Sequence, residues 1–174
     1  DWLNDRIPGE VTELFFREKY HLTKAEAQEM LGRAAREGWA EPKPGYGWRL
    51  RPVAKTPDTF EQIYRFRALI EPAGLLEPSF VFDRAIYEAL RRTQQRMIEG
   101  DARRLPSEAL VQAGANFHLD LIRMSGNMMF VQAMERANQL RRLLEYRTNV
   151  NRQRFESQCA DHLHILDLVQ RGEN

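Results

Sequence analysis

ANFHLDLIRMSGN, residues Ala115–Asn127, sets a histidine into the apolar stripe of a helix. Counted by threes and fours, Val111, Ala115, His118 and Ile122 share one face, beside Phe117 and Leu121. Ser125-Gly126-Asn127 then ends the helix as a turn. The same periodicity runs outward on both sides. It predicts helices at about 58–76 (bent or broken near Pro72), 83–99, 107–125, 128–149 and 152–171, with further turns at Gly100-Asp101 and Thr148-Asn149. Thr56 can cap the first of these helices, and Pro57 suits its first position. Five helices with short connections imply an antiparallel all-α bundle over residues 58–174, joined through a linker at 52–57.

Residues 1–51 read differently. Glu10 to Lys19 is helical, with Val11, Leu14 and Phe15 on its apolar side. After a short turn at Tyr20-His21-Leu22, Thr23-Lys24-Ala25-Glu26 has the form of a capping box. The helix it opens runs to about Arg36, with Ala27, Met30, Leu31 and Ala34 inward and Gly38 as its stop. WAEPKPGYGWRL (Trp39–Leu50) then reads as strand, turn and strand. Helix, turn, capped helix and hairpin make a helix-turn-helix with a wing. The expected fold is therefore mostly α: an N-terminal winged helix-turn-helix and a C-terminal helical bundle. The opening DWLNDRIPGEV suggests that part of the first unit precedes this sequence, and RGEN suggests a further helix beyond it.

Composition narrows the function. The chain of 174 residues is 43% apolar and 29% charged, an ordinary globular balance. No run of about 18 apolar residues predicts a membrane span. The lone Cys159 fits a reducing, cytoplasmic compartment. Net charge is +1 overall, and the first 50 residues hold eight basic and nine acidic groups. Any nucleic-acid contact must therefore rest on local placement, with Lys24, Arg33, Lys43 and Arg49 able to line the second helix and the wing. No nucleophile motif, Gly-rich phosphate loop or catalytic carboxylate pair stands out, so an enzyme is not expected.

Four polar residues fall on bundle-facing stripes. Arg67 shares a face with Phe60, Ile63 and Ile70, and Arg141 shares one with Phe130, Met134, Ala137 and Leu144. His162 sits with Phe155, Cys159, Leu166 and Val169, and His118 completes the set. Unpaired buried charge is costly. Each residue therefore has either an internal partner, Glu71 for Arg67 and Glu145 for Arg141, or a role in a polar cavity. Imidazoles on different helices suit a divalent transition metal such as Zn, Ni, Fe or Mn; guanidinium forks suit a carboxylate.

Together EGWAEPKPGYGWRL, YRFRALIEP, NFHLDLIRMSGN and DHLHILDLVQRGEN resemble the GntR family of bacterial transcription regulators, FadR subfamily, whose C-terminal part is the FCD effector-binding domain. The resemblance implies a homodimer that binds double-stranded operator DNA and responds to a small carboxylate effector, often beside a divalent metal. It assigns Arg67 to the effector, with Arg141 and Asn138 as further candidates there, and His118 and His162 to the metal. The family's acidic or amide ligand one turn earlier is Gly114 here, and its third histidine would lie beyond Asn174. It also assigns DNA contacts to Thr23, Lys24 and Gln28 at the start of the second helix and to Lys43, Tyr46 and Arg49 in the wing. Because the family's usual arginines are replaced at Lys24 and Gln28, a different operator is expected. A repressor with no membrane association is the reading that follows. A metal-dependent lyase or isomerase of bundle type, with an accessory winged helix, is the alternative.

Overall fold

The computed structural model describes residues 1–148 and 152–173. The turn expected at Thr148-Asn149 runs into residues outside that description. The helix expected from Glu10 begins later. Glu10–Val11 forms strand β1, and helix α1 spans Glu13–Tyr20. Thr12 decides this boundary: its hydroxyl accepts from Phe15 N at 3.0 Å, which caps the helix and leaves Val11 extended. Val11 pairs with Trp48 and is buried, a cross-strand contact that helical periodicity cannot reveal.

Helix α2 (Lys24–Arg36) starts at the capping box, with Thr23 Oγ1 and the Glu26 carboxylate satisfying each other's backbone N–H. Its inner residues Ala27 and Leu31 pack with Val11 and Phe16 as a small core. Strands β2 (Ala40–Pro42) and β3 (Trp48–Leu50) complete an antiparallel sheet in the order β1-β3-β2. Arg49 stands opposite Glu10 on one side and Glu41 on the other.

The linker does not hang free. Ala54 is fully buried, and its N–H donates to Leu140 O at 2.7 Å. Thr56 caps helix α3 (Pro57–Leu75) as expected, but that helix runs through Pro72 unbroken. Asp83 caps α4 (Arg84–Arg96), which gives way to a π-helical turn at Met97–Asp101 and a short α5 (Ala102–Arg104). Gly100, at φ 144°, permits that turn. Helices α6 (Ser107–Arg123), α7 (Met128–Thr148) and α8 (Arg152–Arg171) follow.

Two apolar clusters hold the bundle. Tyr87, Leu90, Phe117, Leu121, Met124 and Leu166 tie α4, α6 and α8 together. Met97, Ala102, Leu110, Phe155 and Cys159 close one end. On the other side α3 lies so near α6 that a Cβ on Gly74 would stand 2.6 Å from Ile122 Cδ1. Packing of this kind fixes side chains to within a methyl group, and polar residues among these helices are held equally firmly. Among the described residues no helix is long and apolar enough to cross a membrane.

Candidate ligand-binding site

Helices α3, α6, α7 and α8 enclose a cavity of about 780 Å³, within the usual range for small-molecule sites. Arg67, Arg141, His118 and His162 all line it, so the structure brings together the four polar residues singled out in the sequence. They do not project into it unpartnered.

Arg67 Nε donates to Glu71 Oε1 at 2.6 Å, and His118 Nδ1 donates to Glu71 Oε2 at 2.7 Å. One carboxylate thus binds both groups. Burial pushes the Glu71 carboxyl up, but the His118 bond and the Arg67 charge outweigh it and hold the group below its ordinary value. Burial also dominates at His118, lowering its pKa despite the Glu71 bond. Neutral His118 with its proton on Nδ1 and ionised Glu71 is the state that follows.

His162 repeats the arrangement without a charge. Its Nδ1 donates to Oε1 of buried Gln94 at 3.0 Å. The ring stacks on Phe117 at a centroid distance of 3.8 Å and an interplanar angle of 7°. Burial drives its pKa down to about 3, with the neighbouring His118 adding to the effect. The two imidazoles lie edge to face, centroids 5.0 Å apart.

Arg141 is more completely committed. Its Nε and Nη2 donate to Asn138 Oδ1 at 3.1 and 2.9 Å, while Nη1 reaches Tyr64 Oη at 3.3 Å and the Glu145 carboxylate. Tyr64 Oη donates in turn to Glu145 Oε1 at 2.7 Å. Burial, reinforced by the Glu145 charge, raises the Tyr64 phenol above its usual range. Asn138 also binds the Ala115 carbonyl of α6 at 3.3 Å, so it fastens two helices as well as Arg141.

Glu71, Glu145, Tyr64, Gln94 and Phe117 therefore belong to the site, although only the first two had a signal in the sequence, each four residues after its arginine. The metal pattern implied by the resemblance is not matched by the described residues. No three His, Cys, Asp or Glu side chains are grouped to hold an ion. Both Nδ1 atoms are bonded, which leaves Nε2 of each ring as its remaining donor to an ion, and Gly114, one turn before His118, has no side chain to add a ligand.

The residues assigned to DNA lie together at the winged end, most of them already bonded. Lys24 is exposed at the start of α2, and Gln28 Nε2 donates to Glu13 at 3.0 Å. Thr23 Oγ1 serves the cap. Lys43 and Arg49 both contact Glu10, Arg49 at 3.5 Å, and Tyr46 stands 70% exposed at the wing tip. Exposed pairs of this kind contribute little and can be exchanged for phosphate.

The architecture is that of a winged helix-turn-helix on a helical bundle. The bundle places it further: residues 62–174 match the FCD domain, and the chain belongs to that family. Solved structures share the fold over nearly the whole chain. McbR/YncC of E. coli is 12% identical, with 97% of this chain and 80% of that one covered and a TM-score of 0.63. The Listeria monocytogenes protein Lar, described as controlling expression of the agr system and mediating virulence, is 15% identical, with 98% and 80% covered and a TM-score of 0.64. GntR of Streptococcus agalactiae is 18% identical, with 98% and 85% covered and a TM-score of 0.52. No curated protein matches the sequence significantly.

The buried histidines set a pH dependence. Free histidine titrates near 6.5, so as pH falls the unfolded chain takes up protons that the folded chain refuses. Stability is full above about pH 7 and is lost as pH falls from there toward the His162 value of about 3. The slope reaches about 1.4 kcal/mol per pH unit for His162, and His118 acts in the same direction. Urea midpoints measured between pH 7 and pH 4 should fall less steeply for His162→Gln than for the parent; identical slopes would contradict the burial argument.

Proposed function

We propose that this protein is a ligand-responsive transcription regulator of the GntR type, FadR branch, acting as a homodimeric repressor in the cytoplasm. On this reading α2 and the wing bind double-stranded operator DNA, with Lys24 and Gln28 meeting base edges or phosphate and Lys43, Tyr46 and Arg49 gripping the backbone. Thr23 presents the start of α2. The effector is a small carboxylate held in the bundle cavity, with Arg67 the main anchor, Arg141 on the wall and Asn138 holding Arg141 in place.

The supporting observation is that one helix, α7, belongs to both sites. Asn138, Arg141 and Glu145 of α7 make the cavity network. Residues next to them make the contact with the winged unit. Tyr146 Oη donates to Glu37 at 3.1 Å, and its ring meets Trp39 edge to face at 5.8 Å. Arg142 lies 3.9 Å from the same Glu37 carboxylate, which also accepts from Arg33 of α2 at 2.7 Å. Gly38, at φ 80°, comes so near that a Cβ there would sit 2.6 Å from Gln139. A ligand that disturbs the Arg141–Glu145 pair thus acts on the helix whose next residues hold the end of α2.

This contact is not fully satisfied. Trp39 Nε1 and Arg142 Nε are buried atoms with no hydrogen-bond partner among the described residues. Each costs about 1–3 kcal/mol. A joint with such costs has a competing arrangement within reach of an effector whose differential binding is typically about 1–3 kcal/mol.

The coupling is testable with Tyr146→Phe, which keeps the ring and removes its bond to Glu37. Operator duplexes selected by the protein from random sequence would be titrated with and without effector. The variant should bind effector within about twofold of the parent while its effector-induced change in DNA affinity shrinks by about three- to tenfold. An unchanged response would remove α7 from the route.

We further propose that the cavity works without a resident ion, because among the described residues no three His, Cys, Asp or Glu side chains are grouped to hold one. Protein incubated with Zn, Ni, Fe or Mn and then desalted should retain less than one equivalent in elemental analysis. Stoichiometric metal that disappears in His118→Ala and His162→Ala would reverse this.

A further inference from the structure

Lys24 and Gln28 lie one turn apart near the start of α2, both exposed, in the part of a recognition helix that meets base edges. Gln28 is held there by the neighbouring helix. Its Nε2 donates to Glu13 Oε2 at 3.0 Å. Glu13 is the first residue of α1, set in place by the Thr12 cap. Its other oxygen, Oε1, stands 4.0 Å from Arg17 Nη1, one turn further along α1. The carboxylate thus has a counter-charge of its own and a defined position beside Gln28.

That bond decides which way the Gln28 amide faces. A side-chain amide has a carbonyl that only accepts and an amino group that only donates, and the two differ little in shape. An ionised carboxylate only accepts. Glu13 therefore binds the amino side and repels the carbonyl, so turning the amide over loses a hydrogen bond and sets oxygen against oxygen. In the retained orientation one N–H goes to Glu13, while the second N–H and the carbonyl oxygen are bonded by no described residue. One donor beside one acceptor is the pair that adenine matches in the major groove, with N7 accepting and N6–H donating. Guanine presents two acceptors there, thymine an acceptor and a methyl group, and cytosine a donor alone, so none of them uses both.

We propose that Glu13 is a positioning residue for base reading: it fixes the Gln28 amide so that this side chain selects adenine in the major groove. Glu13 acts through Gln28. The inference rests on reading α2 as the DNA-recognition helix, and it adds the base that one residue selects and the residue that makes it selective.

The test is selection of duplexes from random sequence by the full chain, its Gln28→Ala variant and its Glu13→Gln variant, followed by anisotropy on duplexes with single base changes. The parent should require adenine at one position of the site, and Gln28→Ala should lose that requirement and no other. Glu13→Gln keeps the side chain's length but presents either an N–H or a carbonyl, so both orientations of Gln28 become available. It should reduce the advantage of adenine at that position by at least about fivefold and leave the other positions within about twofold. Duplexes of unrelated sequence should bind it no less tightly than they bind the parent. Glu13→Ala, which leaves the amide free to turn, should do the same and serves if Glu13→Gln does not fold. An adenine preference undiminished in the Glu13 variants overturns the proposal. So does a base other than adenine at the position that Gln28→Ala flattens, or a Gln28→Ala variant that flattens none. Equal weakening at every position also overturns it, because Glu13 then only supports the fold. If no duplex is enriched, the regulator reading falls and this inference with it. Enriched duplexes without a Glu13-dependent adenine remove this inference alone.

Discussion

Glu71 accepts from Arg67 at 2.6 Å and from His118 at 2.7 Å, and much of the site follows from that shared carboxylate. It engages Arg67 through Nε, fixes the His118 proton on Nδ1, and leaves Nε2 of a ring that lines the cavity without a partner among the described residues. A guanidinium buried among apolar helices without such a partner would cost several kcal/mol, so the pair is first a condition for folding. The same pairing makes the site selective. A cavity that has already neutralised its own arginines responds to the arrangement of charge in a ligand more than to charge alone. Arg141, Asn138 and Glu145 of α7, with Tyr64 of α3, repeat the principle, and all three guanidinium nitrogens of Arg141 are engaged.

Helix α7 gives this chemistry a mechanical outlet. Arg141 and Glu145 face inward, while Arg142 and Tyr146 face the winged unit, as helical spacing requires of adjacent residues. Glu37 gathers Arg33, Arg142 and Tyr146 at one point, and burial with the nearby Glu37 charge pushes the Tyr146 phenol up to about 12, so it stays a donor to that carboxylate. The buried linker residue Ala54, bonded to Leu140, adds backbone to the same joint. The winged unit is thus fastened to the wall of the cavity by side chains and main chain together.

The sequence displayed the helices of the bundle clearly because they carry long apolar stripes, and at α3 also a cap in Thr56 and Pro57. It hid β1, since two residues give no period and the strand exists only through its pairing with β3. Pro72 suggested a bend or a break, and the helix continues through it; a proline removes one helical bond, and the next turn packs closely, with Gly74 against Ile122. Arg67, Arg141, His118 and His162 were legible as polar residues on greasy faces. Their partners were only half legible. Glu71 and Glu145 sit at helical spacing from their arginines, but Gln94 and Phe117 reach His162 from other helices, a meeting that only the fold determines. The metal suggested by the resemblance depended on residue types; the structure adds that both Nδ1 atoms are bonded, to Glu71 and Gln94, so only Nε2 of each ring remains for a ligand.

The protonation of the two imidazoles is the point on which cavity and ligand both turn, and nitrogen-15 NMR of histidine-labelled protein reads it directly. At pH 7 the account predicts two neutral buried rings, each protonated on Nδ1 with a bare Nε2, and no titration of either near pH 6.5. An imidazolium at His118, or a proton on Nε2 of either ring, would contradict it, because burial and the Nδ1 bonds would then not set the state of the rings.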